Sequence, residues 1–391
     1  MLGVADLAVP QRLFAAGRLS QPDPRVQRAL GMPLIGQFDP AFTRIMDEVV
    51  QLARRVLPWP SGLCVPVSGL AEAGLEALLN SVLETGDEVL VAGSETFCRE
   101  VRRVALGYGA HVDTLISERV DTRALARRLP PLVVVSHVDP ETSLVLPLAD
   151  LAQACHARGA TLVVEASLSL GGCQLRADAW GLDAVTAGVD GCLGAPSGLA
   201  LVAYSDALEA RMRARRAQPR TSYLDLLQLQ AYWSAERLNH HTAPTSLIYG
   251  LREALRLVLD EGLQARWRRH ERVGEALAAG LAASGFGFAG NHDPGSTGAA
   301  GGEERAPTLW VVDLPHGLPA DAARRRLLDD YGVYVGRGAD GRWRVGLVGA
   351  DAQAEAVLRL LAGLEQVLLA FGCQVRPGAA RTAALSILEP T

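Results

Sequence analysis

The chain has 391 residues, 49% of them hydrophobic, 21% charged and 5% aromatic, with a formal net charge of −5. With no basic excess, a nucleic-acid partner is not expected, and no apolar run approaches the ~20 residues of a membrane span, so no membrane partner is expected either. All 38 basic residues are arginine. With no lysine, the chain has no ε-amino group for a Schiff base, a P-loop phosphate contact or amine nucleophilic catalysis. Six scattered cysteines without a CxxC pair, and an N-terminus without a basic stretch followed by an apolar one, predict a reduced, cytoplasmic protein without a zinc knuckle.

In chain order, Leu63–Val67 reads as a short buried strand, followed by a helix from about Leu70 to Leu83. Strands are expected at Glu88–Ala92, Leu132–Val138, Leu162–Glu165, Ala184–Val189 and Leu199–Tyr204. Runs such as Leu132-Val133-Val134-Val135 are apolar on both faces, which suits a parallel sheet covered by helices on each side. Between strands lie helical patterns such as Leu148–Arg158, stopped by Gly159. The alternation predicts a doubly wound α/β fold. From about Thr242 long helices take over, with Leu251, Ala254, Leu255 and Val258 on one face. Gly285–Ala306 reads as a long mobile loop. A strand at Thr308–Val312, a helix near Ala320–Asp330, strands near Val333–Val335 and Trp343–Val345, and a helix near Ala352–Phe371 predict a small α+β domain. The organisation expected is an N-terminal arm (1–22), a large domain (23–262), a small C-terminal domain (263–373) and a flexible tail (374–391).

Single motifs carry little. Gly285-Phe-Gly287-Phe-Ala-Gly290 matches GxGxxG but follows a helix and enters a loop, where a dinucleotide site needs strand, turn and helix. His240-His241 lacks an obvious third metal ligand, and Cys192 reads as a buried thiol. The segments around Glu165 and Asp190 are more informative. Each puts a carboxylate at the C-terminal end of a parallel strand, where α/β sheets place their sites. A buried carboxylate there must be paired or functional.

Several motifs in order resemble the serine–pyruvate/alanine–glyoxylate aminotransferases, class V enzymes of the type I pyridoxal-phosphate fold. They include Met32–Gly36, Ile45–Glu48, Glu141-Thr142-Ser143, Leu170-Gly171-Gly172, Leu193–Pro196, His240-His241-Thr242 and Arg344-Val345-Gly346. The resemblance runs from about Pro24 to Leu368. It implies a large, mostly parallel doubly wound sheet domain with a small C-terminal α+β domain, and a homodimer in which the Asn239–Thr242 segment completes the neighbouring site.

The resemblance also assigns roles. The phosphate-binding loop falls on Ser68-Gly69-Leu70-Ala71-Glu72, the ring-stacking aromatic on Phe97 and the acid facing the pyridine nitrogen on Glu165. The Schiff-base lysine falls on Gly191, preceded by Asp190. The partner's phosphate tyrosine falls on Asn239, and the arginine for the substrate carboxylate on Arg344. Glu72 and Asp190 place carboxylates where a phosphate is expected; at ~5 Å and an effective dielectric near 20, each pair costs on the order of 3 kcal/mol.

On that ground no cofactor is expected, and an enzyme independent of pyridoxal phosphate is. Glu165, Asp190 and Glu72 would be its acid–base groups, acting on a carboxylate-bearing, amino-acid-like small molecule by condensation or elimination. Arg344, Phe97, Ser68, Thr242, His241 and His240 would bind it. Three alternatives stay open: a non-catalytic binding protein, a metal or haem held by His137, His240, His241, Cys98 or Cys192, and pyridoxal or pyridoxamine phosphate held without a covalent bond.

Overall fold

The computed structural model describes residues 9–59, 62–117, 125, 127, 129–289 and 304–389. Its strands in chain order are β1 Leu13–Phe14, β2 Leu63–Ser68, β3 Glu88–Gly93, β4 His111–Ile116, β5 Leu132–Ser136, β6 Thr161–Glu165, β7 Ala184–Gly188, β8 Leu199–Tyr204, β9 Gly287–Phe288, β10 Trp310–Asp313, β11 Val333–Tyr334, β12 Gly336–Arg337 and β13 Trp343–Val345. Among the described residues, seven of them form one sheet in the order β2-β8-β7-β6-β5-β3-β4. Pairing is parallel throughout except along β8, which runs antiparallel to both neighbours. β5 and β7 are buried along their whole length, as strands covered on both faces must be. The doubly wound, mostly parallel sheet expected from the sequence is therefore present.

Local chemistry sets several helix starts. Asp23-Pro24 and Asp39-Pro40 use one device: the aspartate accepts from the backbone N–H two residues on, at 2.8 and 2.7 Å, and proline takes the first helical position. The helix Ala71–Val82 lies close on the sheet because Gly74 has no side chain. A Cβ there would meet Thr186 Oγ1 at 2.3 Å and Ala200 Cβ at 2.9 Å. That approach fixes the start of the helix beside the C-terminal end of β2.

A second core holds Leu13 and Ala15 with Val273, Leu277, Trp310, Trp343, Val357 and Leu361. Its four-stranded sheet runs β12-β13-β10-β9, all antiparallel, and β1 pairs in parallel with β11. The arm expected at 1–22 is thus partly woven into the second core, and its residues 1–8 lie outside the described residues. The expected flexible tail needs correction: Ala379–Leu388 is a helix whose Ala380, Ala384 and Leu388 are buried in the second core. Its alanine-rich face carries too little hydropathy contrast to show as a period. Of the expected loop Gly285–Ala306, residues 290–303 lie outside the described residues, as does the last glycine of the GxGxxG match. Phe288 in that match is β9, so the segment packs in the small sheet and opens no helix.

His270, on the helix Leu263–Ala283, is enclosed in this core beside Arg266 and Arg269. The Gly349 N–H donates to its Nε2 at 3.1 Å, so Nδ1 carries the proton and donates to the Arg266 carbonyl at 2.8 Å. Burial, with the neighbouring arginines, pushes its pKa down to about 3. The unfolded chain takes up a proton near pH 6.5 that the folded chain refuses, so this stabilisation is full above that pH and is lost as pH falls. Between pH 6 and 4, the unfolding free energy of the wild type minus that of His270→Gln should shrink by roughly 1.4 kcal/mol per pH unit. Urea titrations at each pH measure it, and a constant difference would contradict the neutral histidine.

Candidate active site

A cavity of about 300 Å³ opens at the C-terminal edge of the large sheet, lined among others by Arg18, Glu72, Phe97, Glu165, Ser167 and Arg344. Four residues singled out from sequence thus meet there. Arg18 and Ser167 were not foreseen. Arg18 lies on a non-periodic stretch that gives no helix or strand signal, although Ser167, two residues after a strand-end carboxylate, is a position an Asx-like turn could have flagged.

Glu165 ends β6. The Ser167 N–H donates to its Oε1 at 2.9 Å, and the Ser167 hydroxyl donates to the same oxygen. That hydroxyl oxygen also accepts from the Gly188 N–H at 2.8 Å, which ties the ends of β6 and β7 together. Burial pushes the Glu165 carboxyl above the usual carboxylate range, and the Ser167 hydrogen bonds oppose the shift. Phe97 sits in the first turn of the helix Glu95–Gly107, buried to 7% exposure. Gly93 makes room for its ring: a Cβ there would lie 3.1 Å from Phe97 Cδ1.

Arg344 comes from β13 of the small sheet, paired with Val311 and Gly336. Its Nε and Nη2 are buried and have no hydrogen-bond partner. Burial lowers its pKa to about 10, and it stays charged at neutral pH. Unpaired buried guanidinium donors are costly, which makes this a site prepared for an anion.

Of the carboxylates expected at the phosphate cradle, Glu72 lines the cavity and Asp190 does not. The Glu72 side chain is 67% exposed and stands 3.9 Å from Arg18. Asp190 does not line the cavity; its Oδ2 accepts from the Ser197 hydroxyl at 2.6 Å. Glu165 and Glu72 line one cavity, with Glu165 the more enclosed, and Asp190 is not among the lining residues. Leu70 gives the start of the Ala71–Val82 helix no side-chain cap, leaving that turn open to an anion.

Ser68, His241 and His240 form a chain apart from the cavity wall. Ser68 Oγ is 3.3 Å from His241 Nε2, the two Nδ1 atoms are 2.8 Å apart, and His240 Nε2 is 2.8 Å from the Ser222 carbonyl. That carbonyl can only accept, so His240 Nε2 donates to it. Burial, with His240, lowers the His241 pKa to about 4. Thr242 is exposed, and Asn239 accepts from Gln37 Nε2 at 3.0 Å on the surface.

Among the described residues, no three histidine, cysteine or acidic side chains converge on a metal-sized space. His137 is buried against Ser169 and Trp180, and Cys98 and Cys192 face backbone carbonyls. No helix among the described residues is long and apolar enough to cross a membrane.

The class V aminotransferase model matches residues 33–295. The chain belongs to the class V aminotransferase family. The (S)-ureidoglycine–glyoxylate transaminase of Bacillus subtilis is 35% identical over 100% of this chain and 98% of its own. The pyridoxamine–pyruvate transaminase of Mesorhizobium japonicum is 31% identical over 94% of each chain. The crystal structure of ureidoglycine–glyoxylate aminotransferase from Bacillus subtilis superposes with a TM-score of 0.93, covering 98% of this chain and 100% of that one. The fold is therefore that of the type I aminotransferases.

These relatives overturn two expectations. An enzyme independent of pyridoxal phosphate and a site without a cofactor both disagree with a set of relatives named as transaminases. The Coulomb argument took Glu72 as an unscreened charge, but its side chain, though it lines the cavity, is two-thirds exposed beside Arg18. The residues present fit the ring, its nitrogen and a carboxylated substrate through Phe97, Glu165 and Arg344. They supply no amine, so any hold on the cofactor is non-covalent.

The backbone around Gly191 is closed. A Cβ there would lie 2.9 Å from the Arg18 carbonyl oxygen, nearer than real Cβ atoms approach. Gly191→Ala should therefore lower the unfolding free energy by about 1–3 kcal/mol, the usual penalty for overpacking. Urea unfolding measures it, and a variant as stable as the wild type would show that the 18–20 segment yields freely.

Proposed function

We propose that this protein handles the amino group of a small carboxylated amino acid or 2-oxo acid, with pyridoxal or pyridoxamine phosphate held without a covalent bond. The observation that carries this reading is Arg344, a buried guanidinium with two donors unpaired in the same cavity as Phe97 and Glu165. The family and the transaminase names of its relatives support it. When bound, the cofactor supplies the electron-accepting ring and the amino-group carrier of amino transfer.

The chain's own residues do the rest. Arg344 takes the substrate carboxylate with a planar fork that fits it bidentately. Phe97 offers an apolar wall for a ring and excludes water from one side. Glu165, held in place by Ser167, presents to the cavity a carboxyl whose pKa is raised by burial, a group able to exchange a proton with a ligand. Because the chain has no lysine, no ε-amino group of the protein enters this site, and the amine transferred arrives with a ligand.

Fluorescence titration with pyridoxamine phosphate and pyridoxal phosphate, followed by addition of glyoxylate or pyruvate, tests the reading. Binding of either cofactor and a spectral change on adding the oxo acid are expected. Arg344→Gln should weaken oxo-acid affinity by tenfold or more, about 1.4 kcal/mol, with little change in cofactor affinity. Failure of both cofactors to bind would refute the reading.

We also propose a homodimer. Met32, Leu34, Phe38 and Leu238 are exposed at 57, 72, 54 and 42%. They lie in the two segments joined where Gln37 bonds Asn239 and Ala243, so the apolar surface adjoins the Asn239–Thr242 stretch. A two-fold interface would cover this surface on both copies. Light scattering should give twice the chain mass at micromolar concentration, and Leu34→Glu with Phe38→Glu should shift it towards the monomer. A wild-type monomer under these conditions would refute the dimer.

A further inference from the structure

The segment Ala15–Ser20 crosses from the small sheet to the loop that follows β7. The Gly346 N–H donates to the Ala15 carbonyl at 3.1 Å, and the Gly17 N–H donates to the Gly346 carbonyl at 3.0 Å. On the other side, the Ser20 N–H donates to the Asp190 carbonyl at 3.1 Å, and Ser20 Oγ donates to the Gly191 carbonyl at 3.0 Å. Arg18 lies between these two anchors, and its side chain reaches the cavity that Arg344 and Glu165 line.

This course depends on Gly191. The Arg18 carbonyl occupies the space that a Cβ at 191 would need, so glycine at 191 and the placement of Arg18 are one arrangement. The resemblance assigns the family's lysine to that same position. The site therefore lacks the lysine ammonium and gains a guanidinium carried in by a neighbouring strap. A guanidinium stays protonated and makes a poor nucleophile, so it can bind and orient but cannot anchor an aldehyde.

Arg18 is not committed to another partner. Its contact with Glu72 is 3.9 Å long, between side chains 56% and 67% exposed. Such a pair is weak and open to competition. Two guanidinium groups thus face one small cavity, Arg344 with unpaired buried donors and Arg18 loosely held.

From this juxtaposition we infer that Arg18 is a binding residue for a second anionic group, so that the site takes ligands bearing one anion for Arg344 and another for Arg18. The second group is a carboxylate of a dicarboxylic substrate or a phosphate. The inference rests on the reading of Arg344 as the carboxylate anchor.

Binding without cofactor tests it. The probes are 2-oxoglutarate, pyruvate and inorganic phosphate, titrated calorimetrically into the full-length wild type, Arg18→Gln, Arg18→Lys, Gly191→Ala and Arg344→Gln. Arg18→Gln should weaken 2-oxoglutarate or phosphate by tenfold or more while changing pyruvate affinity less than twofold. Loss of the first identifies a substrate carboxylate as the second anion, and loss of the second a phosphate. Arg18→Lys should recover part of the loss. Gly191→Ala, which displaces the strap, should reproduce the Arg18→Gln pattern in milder form. If Arg18→Gln leaves 2-oxoglutarate and phosphate unchanged, or weakens pyruvate equally, the inference is overturned. Pyruvate binding that survives Arg344→Gln would instead overturn the carboxylate anchor, a separate result because it does not involve Arg18.

Discussion

Two backbones touch at Gly191, and the arrangement of the site follows from that contact. The strap that leaves β1 is bonded to Gly346 on one side and to Asp190 and Gly191 on the other. It therefore joins the two hydrophobic cores at the point where their residues face one cavity. Arg344 belongs to the small sheet and Glu165 to the large one, so the cavity exists only if the cores keep their register. Backbone hydrogen bonds through a glycine are a stiff way to hold that register, since each donor and acceptor is satisfied only in one position.

Among the described residues eleven buried side-chain polar atoms lack a partner, and Arg344 is set apart because it contributes two of them and lines the cavity. Each unpaired donor on a buried cation carries a desolvation penalty of a few kcal/mol. The strand that carries it, β13, is paired on both edges. Two of the guanidinium nitrogens, Nε and Nη2, are held out of water, and a ligand anion would remove the penalty. Glu165 shows the complementary strategy, with an enclosed carboxyl stabilised locally by Ser167.

Much of this was legible in the sequence, for identifiable reasons. Strands buried on both faces announce themselves as apolar runs, and β5, β6, β7 and β8 lie within a residue or two of their expected limits. The exposed edge strand His111–Ile116 has no such run and went unseen. The terminal helix Ala379–Leu388 was hidden by its small side chains. In the site, Arg344 and Phe97 could be placed because the family resemblance assigns them, and Glu165 because it also ends an expected strand. Arg18 could not, because its position follows from a long-range backbone contact that no local pattern encodes. The Coulomb reasoning about Glu72 failed on the same point: charge type was readable, but the rotamer that carries it into solvent was not.

The absence of lysine changes what holds a cofactor in such a fold. A covalent bond to the protein makes retention nearly independent of concentration. Without it, retention is an equilibrium, and a dissociation constant near 1 µM corresponds to about 8 kcal/mol of binding free energy. On the proposed function, that energy would come from ring burial against Phe97, from charge-assisted hydrogen bonds to guanidinium groups, and from the uncapped start of the Ala71–Val82 helix. Each of these also operates on a substrate alone. The division between cofactor and substrate is therefore weaker here than in a lysine-bearing site: whatever brings both a ring and anions into the cavity competes for the same contacts. Occupancy, and with it the apparent stability of the protein, should then track ligand concentration through mass action.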